Sequence, residues 1–141
     1  MKLTKIIFTS ILLLTAVYGC NLFGGGHHHS NTFSYTARDT LGAIVAEGWL
    51  MLDLRDPSNI TGEWEINQVK DSVVIGPQVG HGSLKGSLKS SNDMWIGLNP
   101  NWVDNNVFLS GKYDGNTFSG KWIFSSFIGL TNWGTFTAVR R

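Results

Sequence analysis

The sequence predicts an all-β domain, an antiparallel meander of roughly eight strands closed or nearly closed into a small barrel, placed after a signal peptide and a flexible tether. Three observations predict it. Apolar and polar residues alternate with a period of two from Thr32 to Arg141. Turn-forming residues separate the alternating runs. Glycine stands two residues before an aromatic in Gly62-Glu63-Trp64, Gly111-Lys112-Tyr113, Gly120-Lys121-Trp122 and Gly134-Thr135-Phe136.

Composition fits a single globular domain and excludes a disordered or fibrous chain: of 141 residues, 42% are apolar, 12% aromatic and 15% charged. Eleven basic and ten acidic residues give a net charge of +1. Without Lys2 and Lys5, which fall in the leader, nine basic residues stand against ten acidic ones. No cluster of Lys and Arg is present to neutralise phosphates, so nucleic acid is excluded as a partner.

The leader spans residues 1–19. Lys2 and Lys5 precede the apolar run Ile6–Val17, and Gly19 precedes the thiol of Cys20, which is the order of a secretory signal. The run is too short to cross a bilayer, which takes about 20 residues. Val17-Tyr18-Gly19-Cys20 resembles the lipobox of bacterial lipoproteins. That resemblance implies cleavage before Cys20, a diacylglyceryl group on its sulfur, and a mature chain anchored in the bacterial cell envelope. Asn21 after the cysteine, in place of the aspartate tied to inner-membrane retention in some bacteria, directs the expectation to the outer membrane. Cys20 is the sole cysteine, so no internal disulfide competes for it.

Residues 20–31 form the tether. Asn21–Asn31 reads NLFGGGHHHSN and has no apolar periodicity. His27, His28 and His29 offer imidazoles, the commonest metal ligands. Adjacent side chains on a flexible segment do not converge, so adventitious metal contact is expected there and a built metal site is not.

Residues 32–141 form the domain, with strands expected near 33–38, 42–55, 60–69, 81–89, 94–98, 106–113, 117–125 and 132–140. Ile60, Gly62, Trp64 and Ile66 share one face of their strand, against Thr61, Glu63, Glu65 and Asn67 on the other. Phe118, Gly120, Trp122 and Phe124 repeat the pattern, as do Val107, Leu109, Gly111 and Tyr113. Asp56-Pro57-Ser58-Asn59, Ser90-Ser91-Asn92-Asp93, Asn99-Pro100-Asn101 and Asp114-Gly115-Asn116 supply the turns. Short connections make successive strands antiparallel neighbours, and closure removes the two exposed edges of an open sheet. A sandwich is the alternative architecture. The glycines before the aromatics need no role beyond curvature, since a missing side chain lets a strand bend and the ring fills the space. The expected core comprises Ile44, Leu50, Leu52, Leu54, Ile60, Trp64, Ile66, Leu84, Leu109, Tyr113, Phe118, Trp122 and Phe136.

These residues resemble the calycin-type barrels, the lipocalins and avidins. Ile60–Trp64, Gly82–Ser87, Leu109–Asp114 and Thr131–Gly134 follow the avidin order of blocks. The resemblance implies a barrel form. It does not carry biotin binding over, because Leu88 stands where avidins place a polar-tipped tyrosine against the ligand.

No residue set reads as catalytic. His81 lies between Gly80 and Gly82 in an expected loop, away from any nucleophile. Glu63 and Glu65 share a polar outer face, and Gly111-Lys112 and Gly120-Lys121 lie within strands and not in a phosphate loop. Were loops to assemble a site, His81, Asp93 and Asp104 would be its members. Binding remains, without cofactor or metal. Trp49, among polar neighbours, and Trp102, in a loop, are the candidate contacts for a ligand or an envelope or extracellular partner. Two functions follow: a membrane-anchored binding or structural interaction module, or a carrier of a small apolar ligand inside the barrel. An interior filled by side chains favours the first, and an open pocket of several hundred Å³ the second.

Overall fold

A computed structural model of the chain describes residues 31–69, 75–102 and 104–141. Cys20 and His27–His29 lie outside them. Eight strands follow in order: β1 (Asn31–Arg38), β2 (Ile44–Asp53), β3 (Ile60–Gln68), β4 (Gly80–Leu88), β5 (Asp93–Gly97), β6 (Asn106–Tyr113), β7 (Thr117–Ser126) and β8 (Gly129–Arg140). Each pairs antiparallel with its neighbours in sequence, and β8 pairs with β1 to close the barrel. The sandwich alternative is thereby set aside.

The alternation of the sequence becomes inside and outside. Trp64 and Trp122 are buried with Leu50, Leu52, Ile60, Ile66, Leu84, Leu109, Phe118 and Phe136, as their strand phase requires. Phe33, Tyr35, Met94, Ile96, Leu98 and Val107 join them. The rings pack on one another: Phe118 meets Phe136 edge-on at 4.7 Å between centroids, and Tyr35 stacks on Phe136 at 5.8 Å. Leu54 is only half-buried and packs against the core from its margin.

Glycine serves as the pattern suggested. At Gly62 a Cβ would collide with the Met51 carbonyl, and at Gly134 with the Arg38 carbonyl and the Trp122 indole, so neighbouring backbones and a ring occupy the space. The Trp122 Nε1 donates to that Arg38 carbonyl at 2.9 Å, tying β7 to β1 across the intervening β8.

One expected core residue is corrected. Ile44 is half-buried, and Val45 and Ala46 are buried side by side. A bulge is the cause: Ala37 faces Ala46 but Arg38 faces Ile44, so Val45 is the extra residue and the alternation changes phase there. Strand ends also shift. The second strand is shorter than the expected 42–55, and the last begins at Gly129 and not near 132.

The two ends of the barrel are built differently. At the first, where Asn31 and Arg141 lie, β2–β3, β4–β5 and β6–β7 are joined by short turns. Asp56 accepts from the Ser58 amide at 3.0 Å and its hydroxyl at 2.6 Å, and Asp114 from the amides of Asn116 and Thr117 at 2.9 and 2.6 Å. At the second end, the β3–β4 connection folds inward. Gly76–Gln78 forms a 3-10 turn that buries Ile75 and Gln78. Tyr35 donates to Gln78 Oε1 at 2.9 Å, and Gln78 Nε2 donates to the Ile75 carbonyl at 3.2 Å. Burial pushes the Tyr35 phenol far above its ordinary pKa, so it stays a neutral donor. Gly76 is held at φ 66°, with the Phe124 ring where a side chain would stand.

Candidate functional site

The outer wall carries the candidate site. The register sets three outward rows beside one another: Trp49 of β2 faces Glu65 of β3, which faces His81 of β4, and Glu63 faces Ser83. These five residues, with Gly82 and Trp64, line an open cleft of about 360 Å³. Trp49 is half-buried in its wall, while Glu63, Glu65, His81 and Ser83 are exposed. Trp64 is anchored behind by its Nε1, which donates to the carbonyls of Leu98 and Ser83. Gly82 leaves room for that ring: a Cβ there would stand 3.3 Å from Trp64 Nε1.

His81 is therefore in β4 and not in a loop, and pairing places it opposite Glu65. Asp93 is far from it along the strands, next to the β4–β5 turn, where it pairs with Lys112 at 2.7 Å. Asp104 belongs to the connection after β5. The three loop candidates do not form one site, and among the described residues no group of three His, Cys, Asp or Glu side chains is placed to hold a metal ion.

An indole face flanked by two carboxylates, an imidazole and a hydroxyl stacks on a ring or an apolar face of a ligand and accepts hydrogen bonds from its donors. It offers recognition. The carboxylates and the imidazole stand on the exposed wall of a sheet, without the water-excluded enclosure in which electrostatic stabilisation of a transition state is large.

Trp102, the second candidate, lies elsewhere. It is 64% exposed at the second end of the barrel, in the β5–β6 connection. Asn106 holds that connection. Its buried side chain accepts from the Asn99 amide at 2.9 Å and donates to the carbonyls of Asn99 and Trp102 at 3.0 and 3.3 Å. Trp102 does not meet Trp49, and it stands at an apolar rim. Leu41, Phe127 and Ile128 are each at least 87% exposed, Leu130 67% and Trp133 55%. Sequence reading leaves 126–131 outside any strand and gives this rim no role. Its signal was Phe127-Ile128-Gly129-Leu130, an apolar cluster where a polar turn is usual.

No protein-family profile matches the chain, and no curated protein matches it. Among solved structures, a de novo designed fluorescence-activating β-barrel is similar at 12% identity, covering 81% of this chain and 94% of that one, with a TM-score of 0.47.

Proposed function

We propose that this chain is a lipid-anchored module of the bacterial cell envelope that binds a partner, protein or glycan, through the outer wall of its barrel. The observation that carries the reading is the cleft on the outer wall. Among the described residues, buried apolar side chains point inward from the strands, and a cleft opens on the outer wall at Trp49, Glu63, Glu65 and His81. A carrier of an apolar ligand needs an open interior instead. The lipobox supports the anchor, with Cys20 as acceptor, and the open outer wall supports binding over turnover.

The anchor and the cleft are tested separately. Cys20→Ala should abolish incorporation of labelled fatty acid and release the mature chain from membranes; persistence of both overturns the anchor. For the cleft, a photo-crosslinking amino acid at Glu63 in intact cells should give a discrete adduct that disappears with Trp49→Ala. The same group at Lys121, on the opposite side of the wall, should give none. An adduct that survives Trp49→Ala, or none at Glu63, overturns the cleft as the contact surface.

A further inference from the structure

At the second end of the barrel, all four connections expose an apolar side chain. Leu41 comes from β1–β2, Val69 and Val79 from β3–β4, Trp102 from β5–β6, and Phe127 and Ile128 from β7–β8. The three turns at the first end carry no large exposed hydrophobic residue. The β7–β8 hairpin runs past its β1 neighbour. β8 pairs with β1 only as far as Thr135, so Gly129–Gly134 extends beyond the β1 strand. A second bulge keeps its face uniform. Phe124 faces Asn132 but Ser125 faces Leu130, so Thr131 is the extra residue and Leu130 emerges on the outward face with Trp133 and Ile123. Phe127 and Ile128 form the turn at the tip, and Phe124–Gly134 contains no charged residue.

We infer that this end of the barrel is a membrane-contact surface, inserting the apolar tips of its loops into the interfacial region of a lipid bilayer. Three features select lipid over protein. The apolar groups are prongs from separate loops, and a fluid bilayer conforms to separate prongs, whereas a stable protein interface needs a contiguous patch of about 800 Å² on each side. The order of side chains along the hairpin also fits. Phe127 and Ile128 stand at the tip, and the Trp133 indole is set back towards the barrel, where amphipathic rings lie at headgroup depth.

The chain outside the described residues supplies the third feature. Eleven residue steps separate Cys20 from Asn31, which at full extension reach about 36–40 Å. The barrel is about 30 Å tall, from the twelve residues of β8 at a strand tilt of about 40°. Although Asn31 lies at the first end, the reach lets the second end meet the same bilayer. Spanning is ruled out by the wall: Glu47, Glu63, Glu65, Lys85 and Lys121 are exposed on its outer face, where a transmembrane barrel is apolar.

The test measures the depth of two indoles. The full chain is reconstituted in vesicles of phosphatidylethanolamine and phosphatidylglycerol brominated near the headgroup, and tryptophan emission is read against the same vesicles without bromine. Bromine should quench the wild-type emission; Trp102→Phe and Trp133→Phe should each remove part of that quenching. The double variant Phe127→Asp and Ile128→Asp should lose it and gain quenching by aqueous iodide. Both positions are solvent-facing, and an unchanged circular dichroism spectrum checks the fold. Equal bromine quenching in the double variant overturns the proposal, as does iodide access to both indoles in the wild type. Shielding from bromine and iodide alike would assign the end to a protein partner or a second copy, and also overturns it. The readout is independent of Cys20: a failed anchor shows in fractionation, and a failed contact in quenching.

Discussion

The two ends of the barrel are made from the same eight strands and differ in what their connections expose and bury; Asp39 accepts the amides of Leu41 and Ala43 at one end as Asp56 and Asp114 accept turn amides at the other. At the end bearing Asn31 and Arg141, short turns fold on Asp side chains that accept the turn amides, and charged residues ring the margin. Arg140 closes it from inside, with its guanidinium 5.5 Å from the centroid of the Phe33 ring and a hydrogen bond to the Tyr113 hydroxyl. At the opposite end, the longer β3–β4 connection drops Ile75 and Gln78 into the barrel, while the loop tips turn apolar side chains outward. Because the seal there is made by an inserted segment, the tips are relieved of covering the core. Their composition is free to answer to something outside.

The largest effect expected of any substitution is in the wall between the ends. Trp122→Ala should cost about 3–5 kcal/mol, measured as a drop in denaturant midpoint, because the indole is wholly buried and leaves a cavity. Trp102→Ala at the apolar rim should change stability by no more than about 0.5 kcal/mol. Equal costs at these two tryptophans would break the distinction between core and rim.

Tyr35→Phe sharpens the account of the seal. It removes the donor to Gln78 and leaves a buried amide oxygen without its partner, which should cost about 1–3 kcal/mol. Amide hydrogen exchange should quicken first around 75–79. Exchange that quickens evenly around the barrel would show the inserted segment to be no separate seal.

The smallest effect belongs to the polar end and to acid. Hydrogen bonds from Lys112, then Ser91, hold the Asp93 carboxyl below the ordinary carboxylate range. Those from Ser58 do so for Asp56, and the amides of Thr117 and Asn116 for Asp114. A carboxyl whose pKa is lower folded than unfolded contributes stability that is present above the unfolded value, near 3.9, and lost as pH falls through the folded one. Stability should therefore decline slightly below about pH 4, with the first amides to lose protection at 56–59, 89–93 and 114–117. All three carboxylates are exposed and screened, so the decline should be shallow. Earlier loosening at the second end would contradict the comparison.

Much of this architecture is legible in the sequence, because a half-buried strand writes its two faces as alternate residues and the runs fall between turn residues. What escaped has physical causes. A bulge adds one residue to one strand, and Val45 and Thr131 are both β-branched residues at home in any strand. Gly129 interrupts the alternation, so the expected strands stop at 125 and resume near 132. The inserted 75–79 segment depends on a hydrogen bond between Tyr35 and Gln78 across 43 residues of sequence. For the cleft, Trp49 stands out in the sequence as an aromatic among polar neighbours, whereas Glu65 fits the polar outer face and His81 an expected loop. Their juxtaposition is not visible there, since it follows from the pairing of β3 with β4 across a connection whose length hides the register.

The β1–β8 pairing gives the barrel a seam. Seven of its pairings join consecutive strands, and such hairpins zip locally in about 1–10 µs. The eighth joins the extremes of the domain: Arg141 donates its amide to the Thr32 carbonyl at 2.8 Å and its guanidinium to Ser34, 107 residues away in sequence. The chain entropy lost in bringing such distant segments together grows with loop length and is recovered only when the ring closes. The β1–β8 pairing therefore closes the longest loop and is expected to form late, with the Trp122 bond to Arg38 as its clasp.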